Sequence, residues 1–161
     1  MKQSRDKIRP RGWLASAVKN LKREGKRVVF TNGCFDLLHV GHVQLLEQAR
    51  QLGDLLVVGI NSDRSVRRLK GPSRPIVKER DRAHVLSGLS SVDYVTVFDE
   101  ATPHALIAAL KPDVLVKGAD WAMREVVGRD VLKRSGGRVV RIPLVKGYST
   151  SGLIERLKRT H

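Results

Sequence analysis

Two histidines three residues apart, in His39-Val40-Gly41-His42, are the clearest chemical signal in the chain. They follow a short β-rich run, closed by Asn32-Gly33, at the point where a helix begins. A helix N-terminus presents unpaired N–H groups and a partial positive charge, and glycine leaves room for a ligand to approach the backbone. Either histidine alone would more often be structural. Together at a first β–α turn they predict a phosphate-binding site.

Other chemistries have weaker support. A His-x-x-His pair without a Cys or Glu partner at ligand spacing is poor support for zinc. The chain contains neither a G-x-G-x-x-G fingerprint nor a Walker P-loop, so NAD enzymes and P-loop kinases are not expected. Cys34 is the one cysteine, which excludes an internal disulfide. No activating base pattern accompanies this thiol, so a packed side chain is expected rather than a nucleophile.

Short strands alternate with helices along the chain. Apolar periodicity predicts five strands, at residues 28–32, 55–60, 92–98, 114–116 and 139–142. The predicted helices are one ending at Gly25, then 41–52, a short one after Ser62, 80–89, 103–110 with Thr102 as N-cap, 125–134 and 151–158. A long basic loop follows the short helix. This alternation predicts an α/β fold with a Rossmann-like, doubly wound, five-stranded parallel sheet.

Ligands of such sheets bind beyond the carboxyl ends of the strands, where the strand order reverses. The candidate positions are therefore those that follow Asn32, Ile60, Phe98, Val116 and Ile142.

Charge points to anionic partners. The 161 residues include 31 Lys and Arg against 16 Asp and Glu, a formal net charge of +15. No run of eighteen apolar residues is present, and the basic N-terminus lacks the apolar core of a secretory signal, so a cytoplasmic protein is expected. Aromatic residues make up only 4%, which argues against the stacking surfaces of a nucleic-acid-binding protein.

A family resemblance narrows the function. Gly33-Cys34-Phe35-Asp36 followed by His39-Val40-Gly41-His42 resembles the signature of cytidylyltransferase-like nucleotidyltransferases. The stretch from Asn61 to Pro75, Lys117-Gly118-Ala119-Asp120 and Gly147-Tyr148-Ser149-Thr150-Ser151 are similar to those of bacterial D-glycero-D-manno-heptose 1-phosphate adenylyltransferases. The resemblance covers about residues 28–157. It implies a nucleotidyltransferase domain at 27–161, behind a basic helical extension at 1–26, in a stand-alone form without a kinase domain.

The resemblance also implies an activity and a site. Transfer of the adenylyl group of ATP, with Mg²⁺, to heptose 1-phosphate would supply lipopolysaccharide core biosynthesis, in a homodimer or higher homo-oligomer without membrane or nucleic-acid partners. The implied catalytic residues are His39, His42, Lys70 and Arg82. The implied nucleotide-binding residues are Asn32, Gly33, Cys34, Phe35, Gly41, His42, Lys117, Gly118, Asp120, Trp121, Tyr148, Ser149, Thr150 and Ser151. The acceptor phosphate would meet Asp36, Asn61, Lys70 and Arg74.

Three alternatives stay open at this stage. Trp121 after Asp120 resembles the glycerol-3-phosphate cytidylyltransferases, which would use CTP. The high positive charge is also compatible with a nucleic-acid-binding protein. Asp36 either orients a histidine or a metal-bound water, or caps a turn.

Overall fold

A computed structural model of the chain describes residues 3–160, so Met1, Lys2 and His161 lie outside the description. The strands are β1 (Val28–Gly33), β2 (Leu55–Asn61), β3 (Tyr94–Phe98), β4 (Val114–Gly118) and β5 (Arg138–Ile142). The helices are α1 (Arg11–Arg23), α2 (Val40–Arg50), α3 (Asp63–Lys70), α4 (Glu79–Ser87), α5 (His104–Leu110), α6 (Arg129–Ser135) and α7 (Thr150–Arg159). Two 3₁₀ turns lie at Ser4–Lys7 and Met123–Glu125.

The five strands form one parallel sheet in the order β3-β2-β1-β4-β5. The predicted fold class is confirmed. The strand order reverses between β1 and β4, which are neighbours in the sheet although β2 and β3 lie between them in the sequence. Doubly wound sheets bind ligands at such a reversal, beyond the carboxyl ends of the strands. The site is therefore expected where β1 and β4 end.

Two apolar cores lie on opposite faces of the sheet, because successive side chains of a strand point to opposite sides. Val28 and Phe30 of β1 pack with α1, α5 and α6 in one core. Val29 of the same strand packs with α2 and α4 in the other. Helices α2 and α4, which precede β3 in the chain, thus cover one face, and α5 and α6, which follow β3, cover the other. Helix α1 is the exception, because it packs on the same face as α5.

Helix α1 is part of the packed structure. Its Leu14 and Val18 are fully buried against the sheet, and Ile8, which precedes the helix, forms a β-bridge with Val95 of β3. The predicted amphipathic helix therefore buries its apolar face in the core that it shares with α5 and α6. The division of the chain into an extension at 1–26 and a domain at 27–161 stays a prediction.

Two helices begin later than predicted. Helix α5 follows Pro103 without a side-chain cap, so Thr102 is not its N-cap. Helix α6 begins at Arg129 instead of residue 125, because Val126 turns into the core and Gly128 has a positive φ of 91°. A left-handed residue cannot continue a helix, and glycine adopts that conformation without strain. Within residues 3–160 no helix has the length and apolar character needed to cross a membrane.

Candidate active site

A cleft of about 670 Å³ lies over the carboxyl ends of the strands, where the strand order reverses. It is lined by seventeen of the residues named from the sequence: Asn32, Gly33, Cys34, Phe35, Asp36, His39, His42, Asn61, Lys70, Arg74, Lys117, Asp120, Trp121, Tyr148, Ser149, Thr150 and Ser151. Three others named from the sequence, Gly41, Gly118 and Arg82, are not among its lining residues in the described chain.

The histidine pair begins helix α2. His39 caps the helix, and its Nδ1 accepts a hydrogen bond from the Gly41 N–H at 3.1 Å. A neutral ring that accepts at Nδ1 carries its proton on Nε2, which leaves Nε2–H free to donate. The two imidazoles stack with their centroids 3.8 Å apart.

Both histidines are neutral at pH 7. Burial lowers the pKa of His39, and burial together with the neighbouring His39 lowers the pKa of His42 to about 4. A charged imidazole loses hydration when it is buried, and a second positive charge beside it adds repulsion. The pair therefore offers hydrogen bonds from neutral rings rather than two positive charges.

Gly41 serves the histidine pair in a way the sequence did not show. A Cβ at this position would lie 3.0 Å from Cε1 and Nδ1 of His39. The space beside the Gly41 backbone is thus occupied by the His39 ring, and not left open for a ligand as predicted. Because glycine has no side chain, the His39 ring can pack against the first turn of α2.

The turn after β1 is strained. Phe35 has a positive φ of 47°, a backbone conformation that residues other than glycine rarely adopt. Its buried ring packs over Gly33 and lies 5.0 Å from the ring of His42. Backbone strain of this kind persists where the surrounding contacts over-determine it, as they do at many functional sites.

Asp36 anchors the basic loop between α3 and α4. Its carboxylate is nearly fully buried and accepts hydrogen bonds from the Arg74 Nε at 2.6 Å and from the backbone N–H groups of Ile76 and Val77 at 2.9 and 2.8 Å. Burial alone would raise the pKa of Asp36, but these donors hold it below its usual value. The loop that carries Arg74 is thus tied to the end of β1 at the edge of the cleft.

Arg82 is a buried crosslink. Its side chain has no exposed surface, and the guanidinium donates to the carbonyls of Val77, Cys34 and Asn61 and to the Asp63 carboxylate at 2.7–2.9 Å. The predicted contact with a phosphate needs correction, because the guanidinium lies beneath the cleft with its donors engaged. Arg82 instead positions the ends of β1 and β2 relative to each other.

The end of β4 carries a buried lysine and an exposed indole. Burial lowers the pKa of Lys117 to about 8, although the Asp120 carboxylate opposes this shift. The ammonium lies 5.7 Å from the ring centroid of Trp121, which is 47% exposed. A Cβ on Gly118 would lie 2.6 Å from Oδ1 of Asp120, so a larger residue there would displace the Asp120 side chain. A cation and a flat apolar surface therefore face the same cleft.

Helix α7 starts at the opposite edge of the cleft. Ser149 caps this helix by accepting a hydrogen bond from the Gly152 N–H at 3.0 Å. The Thr150 hydroxyl donates to the Leu37 carbonyl at 3.3 Å and joins α7 to the turn ahead of α2. Tyr148 stacks on His39 with centroids 6.4 Å apart. These contacts bring the N-termini of α2 and α7 together at one side of the cleft.

Cys34 lies in the cleft as a thiol. Burial raises its pKa against the attraction of nearby Lys70, Arg82 and Arg74. The Sγ donates weakly to the Asn61 Oδ1 at 3.8 Å. A nucleophilic cysteine needs a lowered pKa, so this arrangement agrees with a packed side chain.

Six residues that line the cleft were not among the predicted site residues: Leu69, Ala101, Thr102, Pro103, Val127 and Leu144. Three of them follow β3, and the rule that ligands bind beyond strand ends had pointed to the residues after Phe98. The apolar ones carried no chemical signal of their own.

Within residues 3–160 no cluster of three or more His, Cys, Asp or Glu side chains could hold a metal ion. The acidic groups at the cleft are few, and Asp36 is already bonded to Arg74. A divalent cation that reached this cleft would need ligands from a bound substrate.

Fold and cleft together define a Rossmann-like α/β protein whose cleft, at the carboxyl edge of the sheet, is lined by two histidines and several cationic side chains. Residues 30–156 match the cytidylyltransferase-like family, and the chain belongs to that family. The predicted resemblance is confirmed.

Curated relatives and a solved structure extend this result. The chain is 60% identical over 151 residues to bifunctional protein HldE of Syntrophotalea carbinolica, covering 94% of this chain and 31% of that protein. It is 53% identical over 161 residues to HldE of Helicobacter pylori, covering all of this chain and 33% of that protein. The chain thus spans about a third of the length of these relatives. A lipopolysaccharide core biosynthesis protein from Thermoplasma volcanium has a similar structure, with a TM-score of 0.65 and 31% identity over 76% of this chain and all of that one.

Proposed function

We propose that this protein transfers the adenylyl group of ATP to D-glycero-D-manno-heptose 1-phosphate, giving ADP-heptose and pyrophosphate. The observation that carries the proposal is that the histidine pair and the basic segment ending in Lys70 and Arg74 line one cleft. That segment is the part of the chain that most resembles the heptose enzymes. The similarity to HldE proteins supports the same assignment.

The proposed reaction is a direct displacement at phosphorus. An oxygen of the sugar phosphate attacks the α-phosphorus of ATP, a new P–O bond forms, and the bond to the β-phosphate oxygen breaks opposite it. The electron pair of that bond leaves with pyrophosphate. No covalent intermediate is needed, so catalysis consists of positioning the two reactants and stabilising charge on the phosphoryl oxygens.

The neutral histidines suit this reaction. The Nε2–H of His39 and the ring of His42 are proposed to donate to oxygens of the α-phosphate, where negative charge concentrates as the displacement proceeds. Neutral donors bind the ground-state triphosphate less tightly than charged donors would. The N-terminus of α7, beside them, is proposed to receive the β- and γ-phosphates.

The cations around the cleft have separate proposed tasks. Lys70 and Arg74, on the loop tied to Asp36, neutralise the acceptor phosphate. Lys117 meets the nucleotide phosphates or ribose, while Asp120 and Trp121 frame the ribose and base. Mg²⁺ enters with ATP as part of the substrate and offsets triphosphate charge.

The substrate assignment has a direct test. With Mg²⁺, ATP and heptose 1-phosphate, the wild-type protein is expected to release pyrophosphate and form ADP-heptose, and not to use CTP with glycerol 3-phosphate. A coupled pyrophosphate assay over a matrix of nucleoside triphosphates and sugar phosphates measures this. A higher kcat/KM for CTP than for ATP would overturn the adenylyl assignment, because the protein would then prefer cytosine to adenine.

Binding of ATP at pH 8 is expected to take up on the order of half a proton per site, because Lys117 with a pKa near 8 is half protonated there and a nearby phosphate raises that pKa. Calorimetric titration in two buffers of different ionisation enthalpy gives the number of protons. Lys117→Met is the control and should show almost no uptake. Equal uptake by the variant and the wild type would place the triphosphate away from this lysine.

Two further expectations remain proposals. We propose that the protein acts in the cytoplasm, where ATP is available, and that it forms a homodimer or a higher homo-oligomer. No finding favours the cytidylyltransferase or nucleic-acid-binding alternatives.

A further inference from the structure

Asn32 lines the cleft, and one atom of its side chain has no hydrogen-bond partner within residues 3–160. Its Oδ1 is sealed from solvent and accepts no hydrogen bond from the described residues. A buried acceptor left unsatisfied costs roughly 1–3 kcal/mol, so such groups in native proteins call for an explanation. A ligand that supplies the missing donor is one explanation, and Asn32 lines the cleft where that ligand would sit.

The position of Asn32 on β1 indicates which part of the cleft it serves. Side chains alternate along the strand, so Asn32 shares the face of Val28 and Phe30, which pack with α1, α5 and α6. The histidine pair and the start of α7 lie on the other face, with α2. Asn32 therefore faces away from the histidine pair and the start of α7, which are proposed to hold the α-, β- and γ-phosphates of ATP.

Other residues of the cleft come from the segments that lead into the helices of this face. Thr102 and Pro103 precede α5, and Val127 precedes α6. Thr102 does not cap α5 and is exposed, so its hydroxyl is available to the cleft. Carboxamide and hydroxyl groups beside apolar surface match a ligand with several hydroxyls on a carbon frame, because each hydroxyl both donates and accepts.

We propose that Asn32 recognises a hydroxyl of the sugar acceptor and is a specificity-determining residue for it. This inference rests on the proposed function and refines it, since the sequence had grouped Asn32 with the nucleotide-binding residues. The acceptor would lie over the α5 face of the sheet, with its phosphate toward Lys70 and Arg74. The nucleotide would lie between the ends of α2, α7 and β4.

The test compares Asn32→Ala and Asn32→Val with the wild type. We expect kcat/KM for heptose 1-phosphate to fall about tenfold, the cost of one hydrogen bond, while the Kd for MgATP measured by calorimetry changes less than about twofold. The Tm should not fall, because the substitution removes an unsatisfied acceptor. Asn20→Ala on the exposed side of α1 is the matched control and should leave all three quantities unchanged.

Three results would overturn the inference: an ATP Kd that rises as much as the acceptor kcat/KM falls, unchanged acceptor kinetics, or a lowered Tm. The first returns Asn32 to the nucleotide site, and the last makes it structural. Failure of the proposed function looks different, because the wild type itself would then not use heptose 1-phosphate. In that case the same variants are measured with whichever sugar phosphate the wild type accepts in the pyrophosphate assay.

Discussion

Replacing His42 by alanine is expected to lower kcat by roughly 10²-fold or more, the usual cost of removing one donor to developing phosphoryl charge. His42 lines the cleft at the start of α2, with its ring stacked on His39. The burial that lowers its pKa also strengthens any hydrogen bond it makes there, because water does not compete. The loss should appear in kcat rather than in the Kd for ATP, since the interaction forms mainly in the transition state.

Packing must be separated from chemistry in this experiment, because the ring also contacts Phe35. His42→Phe keeps an aromatic ring between its neighbours and removes both nitrogens, so its turnover should fall about as far as that of His42→Ala. His84→Ala on the exposed side of α4 is the control and should keep wild-type turnover. A His42→Phe variant with normal kcat would show that this histidine only supports the fold.

Arg82→Met is expected to cause the largest loss of stability, about 3–5 kcal/mol, because it leaves the buried groups that Arg82 satisfied without a donor. Those groups are the carbonyls of Cys34 and Asn61, at the ends of β1 and β2. The Asp63 carboxylate keeps the Glu79 N–H but loses its charged partner. For a domain of this size the Tm should fall on the order of 10 °C. Denaturant unfolding followed by circular dichroism measures the free energy directly.

Arg80→Met, two residues earlier on the same helix, is the matched control for this substitution. Arg80 is exposed, so its replacement should change the free energy of unfolding by less than about 0.5 kcal/mol. If Arg82→Met were as stable as Arg80→Met but inactive, the guanidinium would act on a substrate after all. The original sequence-based role would then be restored.

Most of the fold was predictable because its signals are local. Apolar runs such as 55–60, rich in β-branched residues, are typical of strands buried on both faces. Their alternation with amphipathic segments leaves few topologies besides a parallel sheet. The predicted start of α6 was wrong partly because of the left-handed Gly128 and partly because of a contact that the local pattern does not show. Val126 is drawn into a core built by α1 and α5, and no periodicity within residues 120–130 reveals that contact.

In the candidate site, too, some features were predictable from the local sequence and others depend on tertiary contacts. His39 and His42 were identified from spacing within four residues, and both line the cleft. The contacts of Arg82 with Cys34, 48 residues earlier, and of Asp36 with Arg74, 38 residues later, depend on tertiary structure. A basic residue near a phosphate site looks the same in sequence whether it binds the ligand or braces the backbone. Only its burial and partners distinguish the two.

The separation of the helices onto two faces of the sheet has a consequence for how this enzyme could be re-engineered. One wall of the cleft is encoded by residues 34–74 and the start of α7, and the wall opposite by residues 101–127. Within the second wall, Leu106, Ile107 and Leu110 of α5 all pack in one core, whereas Phe35 and α2 belong to the other. A graft of residues 101–110 from a relative with another acceptor is therefore expected to leave the histidine pair and its supports in place. The proposed acceptor wall at Thr102 and Pro103 can thus be changed while the histidine pair keeps its surroundings.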